Sequence, residues 1–186
     1  MANKMNSYIS MLRGINVSGR NKVMMKELIA VYESAGFRNA RTYVQSGNVV
    51  FDCPRTDPAV LSSTIEGAIA KTLGISVAVI VRTKEEFRRT VESNPFLKRN
   101  DIDKSKLHVT FLSVAPSDKN IDEISAAKSE TDEFVFVGND VYLYCPGGYG
   151  KTKFSNGYFE KKTGASATTR NWKTVNSLLQ MADSSG

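Results

Sequence analysis

Histidine is nearly absent from this 186-residue chain, which contains His108 and no other. A metal site or proton relay drawing on several imidazoles is therefore excluded, and His108 itself, inside a predicted strand, reads as structural. Cysteine is almost as scarce. Cys53 and Cys145 stand far apart with no CxxC spacing, so no disulfide framework is implied and two free thiols in a reducing cytosol are expected. Arg55, close to Cys53, gives a weak reason to expect a lowered thiol pKa there. No apolar run approaches the ~20 residues that a membrane span requires. The segment Met1 to Ser7 is polar and lacks the apolar core of a signal peptide, so a soluble, cytoplasmic protein without membrane contact is expected. Acidic clusters are missing as well. Asp101, Asp103, Asp118, Asp122 and Glu123 fall in linker or helix-surface contexts and read as solvated charges, so neither a metal nor a cofactor is expected.

What is present is an ordinary globular composition, 41% hydrophobic and 24% charged, long enough to bury a core without staples. The net charge of +6 is unevenly spread. Residues 1–55 hold eight Lys and Arg against three Asp and Glu, residues 57–140 eleven against fourteen, and residues 145–175 six against one. Two basic ends flank an acidic middle. Meeting in space, they would form a positive face suited to a phosphate-bearing partner; apart, they are a solubilising surface.

Periodicity supplies the element order. Tyr8 to Leu12 reads as a buried strand, and Met24, Leu28, Val31, Tyr32 and Ala35 recur at helical spacing before Gly36. Thr42 to Val44 and Val49 to Phe51 form a hairpin across Ser46-Gly47-Asn48. Asp57-Pro58 starts a helix that Gly74 ends, and Val77 to Val81 is an apolar strand. A capping box, Thr83-x-x-Glu86, opens a connecting helix stopped at Asn94-Pro95. The order then repeats: strand Leu107 to Leu112, a short helix capped at Asp118, and a hairpin of Phe134–Val137 and Val141–Tyr144. A helix near Tyr158 to Lys162, an extended piece at Ala165 to Thr168 and a final helix presenting Trp172, Val175, Leu179 and Ala182 complete it. The expected fold is α+β: two tandem ferredoxin-like βαββαβ units with an extra C-terminal helix. Its boundaries are an N-terminal unit with its connecting helix over 1–93, a linker over 94–106 and a C-terminal unit over 107–186. Such a fold hosts many functions and proves none.

Three stretches could carry chemistry. Arg13-Gly14-Ile15-Asn16-Val17-Ser18-Gly19-Arg20-Asn21-Lys22 precedes the first helix and combines glycines, cations and amides, so Arg13, Asn16, Asn21 and Lys22 are candidate anion ligands. The plainer reading is a polar connection eased by its glycines. Cys145-Pro146-Gly147-Gly148-Tyr149-Gly150-Lys151-Thr152 resembles a P-loop but has Cys145 where a glycine is needed and no good helix start after it. Lys151 and Tyr149 could still meet a ligand, the ring as a stacking platform. Thr168-Thr169-Arg170-Asn171-Trp172 opens the last helix; Thr169, Arg170 and Asn171 could hold a phosphate or carboxylate, or Thr169 and Asn171 could simply cap.

LRGINVSGRNKVMMKEL (Leu12 to Leu28), TYVQSGNVVF (Thr42 to Phe51), GYGKTKF (Gly148 to Phe154) and ATTRNWKTV (Ala167 to Val175) closely resemble the bacterial domain of unknown function 1697 family. The resemblance covers nearly the whole chain. It implies two ferredoxin-like units, names no activity, and adds Ser46, Gly47 and Asn48 to the signature beside Arg13, Gly14, Asn16, Asn21, Lys22, Thr169, Arg170 and Asn171. Three functions stay open. One is binding of a phosphate-bearing small molecule or nucleic acid in a cleft between the halves. Another is an enzyme acting electrostatically through Arg, Lys and Asn without metal or catalytic His. The third is a protein–protein adaptor using sheet edges. Strand aromatics on the basic face would favour nucleic acid, a pocket with converging cations a metabolite, and a flat apolar patch an adaptor.

Overall fold

The structure is a computed structural model that describes residues 4–17, 19, 21–127, 129 and 131–184. It is mixed α+β, with two four-stranded antiparallel sheets and six α-helices among the described residues. The chain divides into two compact units, Met1–Arg89 with Ser177–Gly186, and Thr90–Asn176.

In the first unit the order is β1 (Met5–Leu12), α1 (Met25–Ser34), β2 (Arg38–Tyr43), β3 (Asn48–Pro54), α2 (Pro58–Leu73) and β4 (Val79–Thr83). The strands lie in the order β2-β3-β1-β4, so β1 is central, with Tyr8 beside Phe51 on one side and Thr83 on the other. Strand alternation sends Tyr8, Leu12, Val49, Phe51, Val79 and Val81 to one face. There they meet Leu28, Val31 and Tyr32 of α1 and Leu61, Ile65 and Ile69 of α2. Phe51 is the hub, its ring centroid 4.7 Å from Phe37 and 5.3 Å from Tyr32. The Tyr32 hydroxyl is buried but paired with Ser10 Oγ at 2.7 Å, and burial pushes the phenol's pKa well above its usual value. Local signals set the helix ends as the sequence implies. Asp57 accepts from Ala59 N at 2.7 Å, Pro58 occupies the first turn, and Gly74 closes α2 in a left-handed conformation.

The capping box at Thr83 and Glu86 forms, with Glu86 N donating to Thr83 Oγ1 and Thr83 N to Glu86 Oε2, and starts α3 (Lys84–Glu92). The polar stretch after Pro95 is not featureless. Two 3₁₀ turns, Pro95–Lys98 and Lys104–Lys106, are capped by Asn94 and Asp103, and Arg99 bridges Asp101 and Glu133 at 2.7 Å each.

The second unit repeats the order with β5 (Leu107–Leu112), α4 (Asp118–Ser125), β6 (Glu133–Val137), β7 (Asp140–Tyr144), α5 (Asn156–Thr163) and β8 (Ala167–Asn171). Its sheet order is β6-β7-β5-β8, the same arrangement. Leu112, Val141, Leu143 and Ala167 pack on Ile124, Phe154 and Phe159. The last helix, α6 (Trp172–Asp183), follows β8 without a loop.

Four local expectations change. β4 lies two residues later than the apolar run suggested, because its pairing with β1 extends to Thr83. Ser117, not Asp118, caps α4, accepting from Asn120 N. β8 runs on to Asn171, since it pairs with β5 as far as His108 opposite Asn171; Thr169 and Arg170 are strand residues, not a helix start. Starting at Trp172, α6 buries Leu178 in place of Leu179.

Candidate functional site

The predicted residues fall into two groups, one in each unit. In the first unit, the connection from β1 to α1 and the β2–β3 hairpin converge at one end of the sheet. Leu12 N donates to Gly47 O at 2.8 Å, which draws the hairpin turn onto the end of β1. Gly14, Asn16 and Asn21 all have positive φ (69°, 54° and 45°), a conformation that glycine and asparagine tolerate best. Asn16 then staples the loop. Its Nδ2 donates to Val23 O (3.0 Å) and Gln45 O (2.8 Å), and its Oδ1 accepts from Val23 N (2.9 Å). Asn21 Nδ2 reaches Gly14 O at 3.4 Å. On the hairpin, fully buried Asn48 donates to Ser46 Oγ (2.8 Å) and Tyr43 O (3.1 Å). Asn16, Asn21 and Asn48 thus shape the loops through their side-chain amides. Ser18 and Arg20 of the same segment lie outside the described residues.

The shaped loops border an open cavity of about 730 Å³. Asn16 and Gln45 line it from the loop and the hairpin, Lys22 supplies a cation, and Met24 and Met25 supply apolar wall at the start of α1. Glu27 also lines it, but Glu27 Oε2 accepts from Met24 N at 3.2 Å and so turns back on its own helix. Lys22 is exposed. Arg13 is half-buried on the same connection, its backbone N–H bonded to Ala78 O.

In the second unit, Thr169 is the centre of a hydroxyl cluster. Its Oγ1 donates to Asn156 Oδ1 (2.6 Å), accepts from Tyr149 O–H (3.0 Å) and lies 2.6 Å from Thr110 Oγ1. Tyr149 stacks on His108, centroids 5.0 Å apart. The cluster pins the loop after β7 onto the sheet. That loop is not a P-loop: Tyr149–Lys151 forms a 3₁₀ turn, Phe154 is buried in the core, and α5 begins only at Asn156 with Ser155 as cap. Lys151 is exposed on that turn. Arg170 is only 9% exposed, and its Nη1 donates to Thr168 Oγ1 (2.8 Å) and Thr169 O (2.9 Å) on its own strand. Asn171 Oδ1 accepts from Thr174 N at 2.8 Å and caps α6.

Burial governs the titratable groups. It lowers the His108 pKa, against a hydrogen bond from Nδ1 to Lys106 O that favours the charged form. It pushes the Cys145 thiol up to about 11 and raises that of Cys53, overruling the lowering expected from Arg55. Both thiols are free and buried. Among the described residues no three His, Cys, Asp or Glu side chains gather to hold a metal, and no helix is long and apolar enough to cross a membrane.

Of the residues the sequence nominates as ligand groups, Asn16 and Lys22 line the cavity; Met24, Met25 and Gln45 of its wall, and Thr110 and Asn156 as partners of Thr169, were not anticipated. Gln45 lies inside the hairpin motif, between Val44 and Ser46, and could have been noticed there.

No curated protein matches the chain. Among solved structures, it is similar to the conserved bacterial protein SP0830 from Streptococcus pneumoniae. The two are 24% identical with a TM-score of 0.76, over 96% of this chain and 99% of that one, a likeness of fold. The family model described as Protein of unknown function (DUF1697) matches residues 5–142, well over half of the chain, and the protein belongs to that family.

Proposed function

We propose that this protein binds a phosphate-bearing small molecule at the loop end of its first unit, with each βαββαβ unit serving as a ferredoxin-like scaffold. The observation that carries the reading is the open cavity of about 730 Å³ with Lys22 on its wall, within the ~300–1,000 Å³ range of small-molecule sites. The segment Arg13 to Lys26 contributes four cations, Arg13, Arg20, Lys22 and Lys26, before its first acid at Glu27. That local excess favours an anion. The cavity is bordered by loops already held in place by Asn16 and Asn48, so little ordering is left for the ligand to impose. Its described lining carries one cation, Lys22, and one carboxylate, Glu27, not the row of cations that a nucleic-acid backbone calls for, which favours a small molecule over RNA or DNA. In this reading Lys22 meets the ligand. Arg170, bonded to Thr168 and Thr169, holds its strand. The buried thiols suit a reducing compartment.

Titration calorimetry with pyrophosphate at low salt tests the reading. Binding is expected, weakening with added salt. Lys22→Ala should lower affinity by roughly 5-fold or more, about the ~1 kcal/mol of an exposed ion pair. Wild-type protein that ignores pyrophosphate, or a Lys22→Ala variant that binds it equally well, refutes the proposal.

A further inference from the structure

Three kinds of chemistry meet at the first unit's cavity, and together they define a ligand more closely than charge alone. The first is the cation of Lys22. The second is apolar surface that water would ordinarily penalise. Met24 and Met25 line the cavity, and Met24 is 52% exposed. The third is the side-chain amide of Gln45, which takes no hydrogen bond within the described residues although its backbone carbonyl accepts from Asn16.

Resting on the anion-binding reading above, we infer that the ligand is a nucleoside phosphate. The phosphate meets Lys22, the base lies against the Met24 thioether and the apolar wall, and the Gln45 amide reads the base edge. Thioether sulfur packs favourably on heteroaromatic rings, and an amide offers one donor side and one acceptor side, a match for the mixed edge of a base. An alkyl phosphate would satisfy the cation and the apolar wall but leave the Gln45 amide without a partner.

The test compares pyrophosphate with ADP, GDP, CDP and UDP, and with octyl phosphate, on the full chain by calorimetry. At least one nucleotide is expected to bind ~10-fold or more tighter than pyrophosphate, since a sulfur–ring contact and one amide hydrogen bond each give roughly 2- to 10-fold. Gln45→Ala and Met24→Ser should each weaken that nucleotide at least ~2-fold more than they weaken pyrophosphate, and an equal loss for both ligands overturns the inference. An unchanged melting temperature for both variants separates loss of contact from loss of fold. Pyrophosphate bound as tightly as every nucleotide overturns the inference and leaves anion binding standing. Octyl phosphate binding more tightly than all four does the same. Absence of binding by pyrophosphate and nucleotides alike overturns both readings.

Discussion

Replacing Gly47 by alanine should be one of the most damaging single-methyl additions the first unit can receive. The residue has φ +74°, and a Cβ built there would stand 2.7 Å from Ile15 Cδ1 and 2.8 Å from Leu12 Cβ. Both neighbours are buried at 1% exposure, so neither can swing into solvent. The carbonyl of Gly47 also receives the Leu12 N–H at 2.8 Å, which prevents the turn from lifting away freely. The left-handed conformation costs an L-residue about 1–2 kcal/mol, and forcing a packed core apart costs about 1–3 kcal/mol more. The sum, about 2–5 kcal/mol, is a large share of the ~5–15 kcal/mol that stabilises a typical domain. Gly36 provides the control. Its φ is +90°, but nothing lies within 4 Å of its would-be Cβ, so Gly36→Ala should show only the conformational part. Urea unfolding followed by far-UV circular dichroism compares the two. Gly47→Ala is expected to unfold at clearly lower urea than Gly36→Ala. Equal midpoints would refute the packing argument, and a Gly47→Ala midpoint equal to wild type would refute both parts.

Two further outcomes follow from the buried titratable groups. Burial lowers the His108 pKa in the folded chain, so at mildly acid pH the unfolded chain binds more protons than the folded one. Stability should therefore fall as pH drops from 7 through the ordinary histidine range, and His108→Gln should flatten that part of the profile in urea midpoints taken between pH 7.5 and 5; a mutant profile with the same slope counts against it. With the Cys145 thiol pushed up to about 11 and Cys53 raised, both should react slowly with a thiol reagent at pH 8 in the folded protein and rapidly in denaturant. Fast stoichiometric labelling of Cys145 in the native state would contradict its burial.

Where the chain's instructions are local, the sequence is legible. Asp57, Pro58 and Gly74 mark α2 because capping and left-handed termination depend on a few adjacent residues. Thr83 and Glu86 mark α3 for the same reason. Legibility falters where pairing overrides local preference. Thr169 and Asn171 have the chemistry of helix caps, yet the ladder with β5 keeps Thr168, Thr169 and Arg170 extended, and only Asn171 caps. In α6 the buried position is Leu178 and not Leu179; both stand three or four residues from buried Val175 and Ala182, so spacing alone does not choose between them. In the site, Lys22 shows through its charge. Met24, Met25 and Gln45 do not, since methionine reads as core and glutamine as surface until the fold brings hairpin and loop together.

The asparagines carry the more general lesson. Asn16, Asn21 and Asn48 stand in the signature motifs and look like ligand groups, but their amides bond to the backbone or to Ser46. Asn16 alone ties three segments, and its φ of 54° would strain most other residues. A polar residue in a motif can thus be essential without touching a ligand, by shaping the loops that border a cavity. Under the proposed function, the residues that would meet the ligand are cavity residues with unspent chemistry: the Lys22 ammonium, the Gln45 amide and the exposed thioether of Met24. The motif asparagines thus serve the loops, while the cavity wall mixes a cation, a carboxylate, amides and thioether sulfur. This division also sets an order among perturbations. Substituting Asn16 should disturb every ligand alike by loosening the loop, whereas substituting Gln45 or Met24 should discriminate between ligands and leave the loop intact.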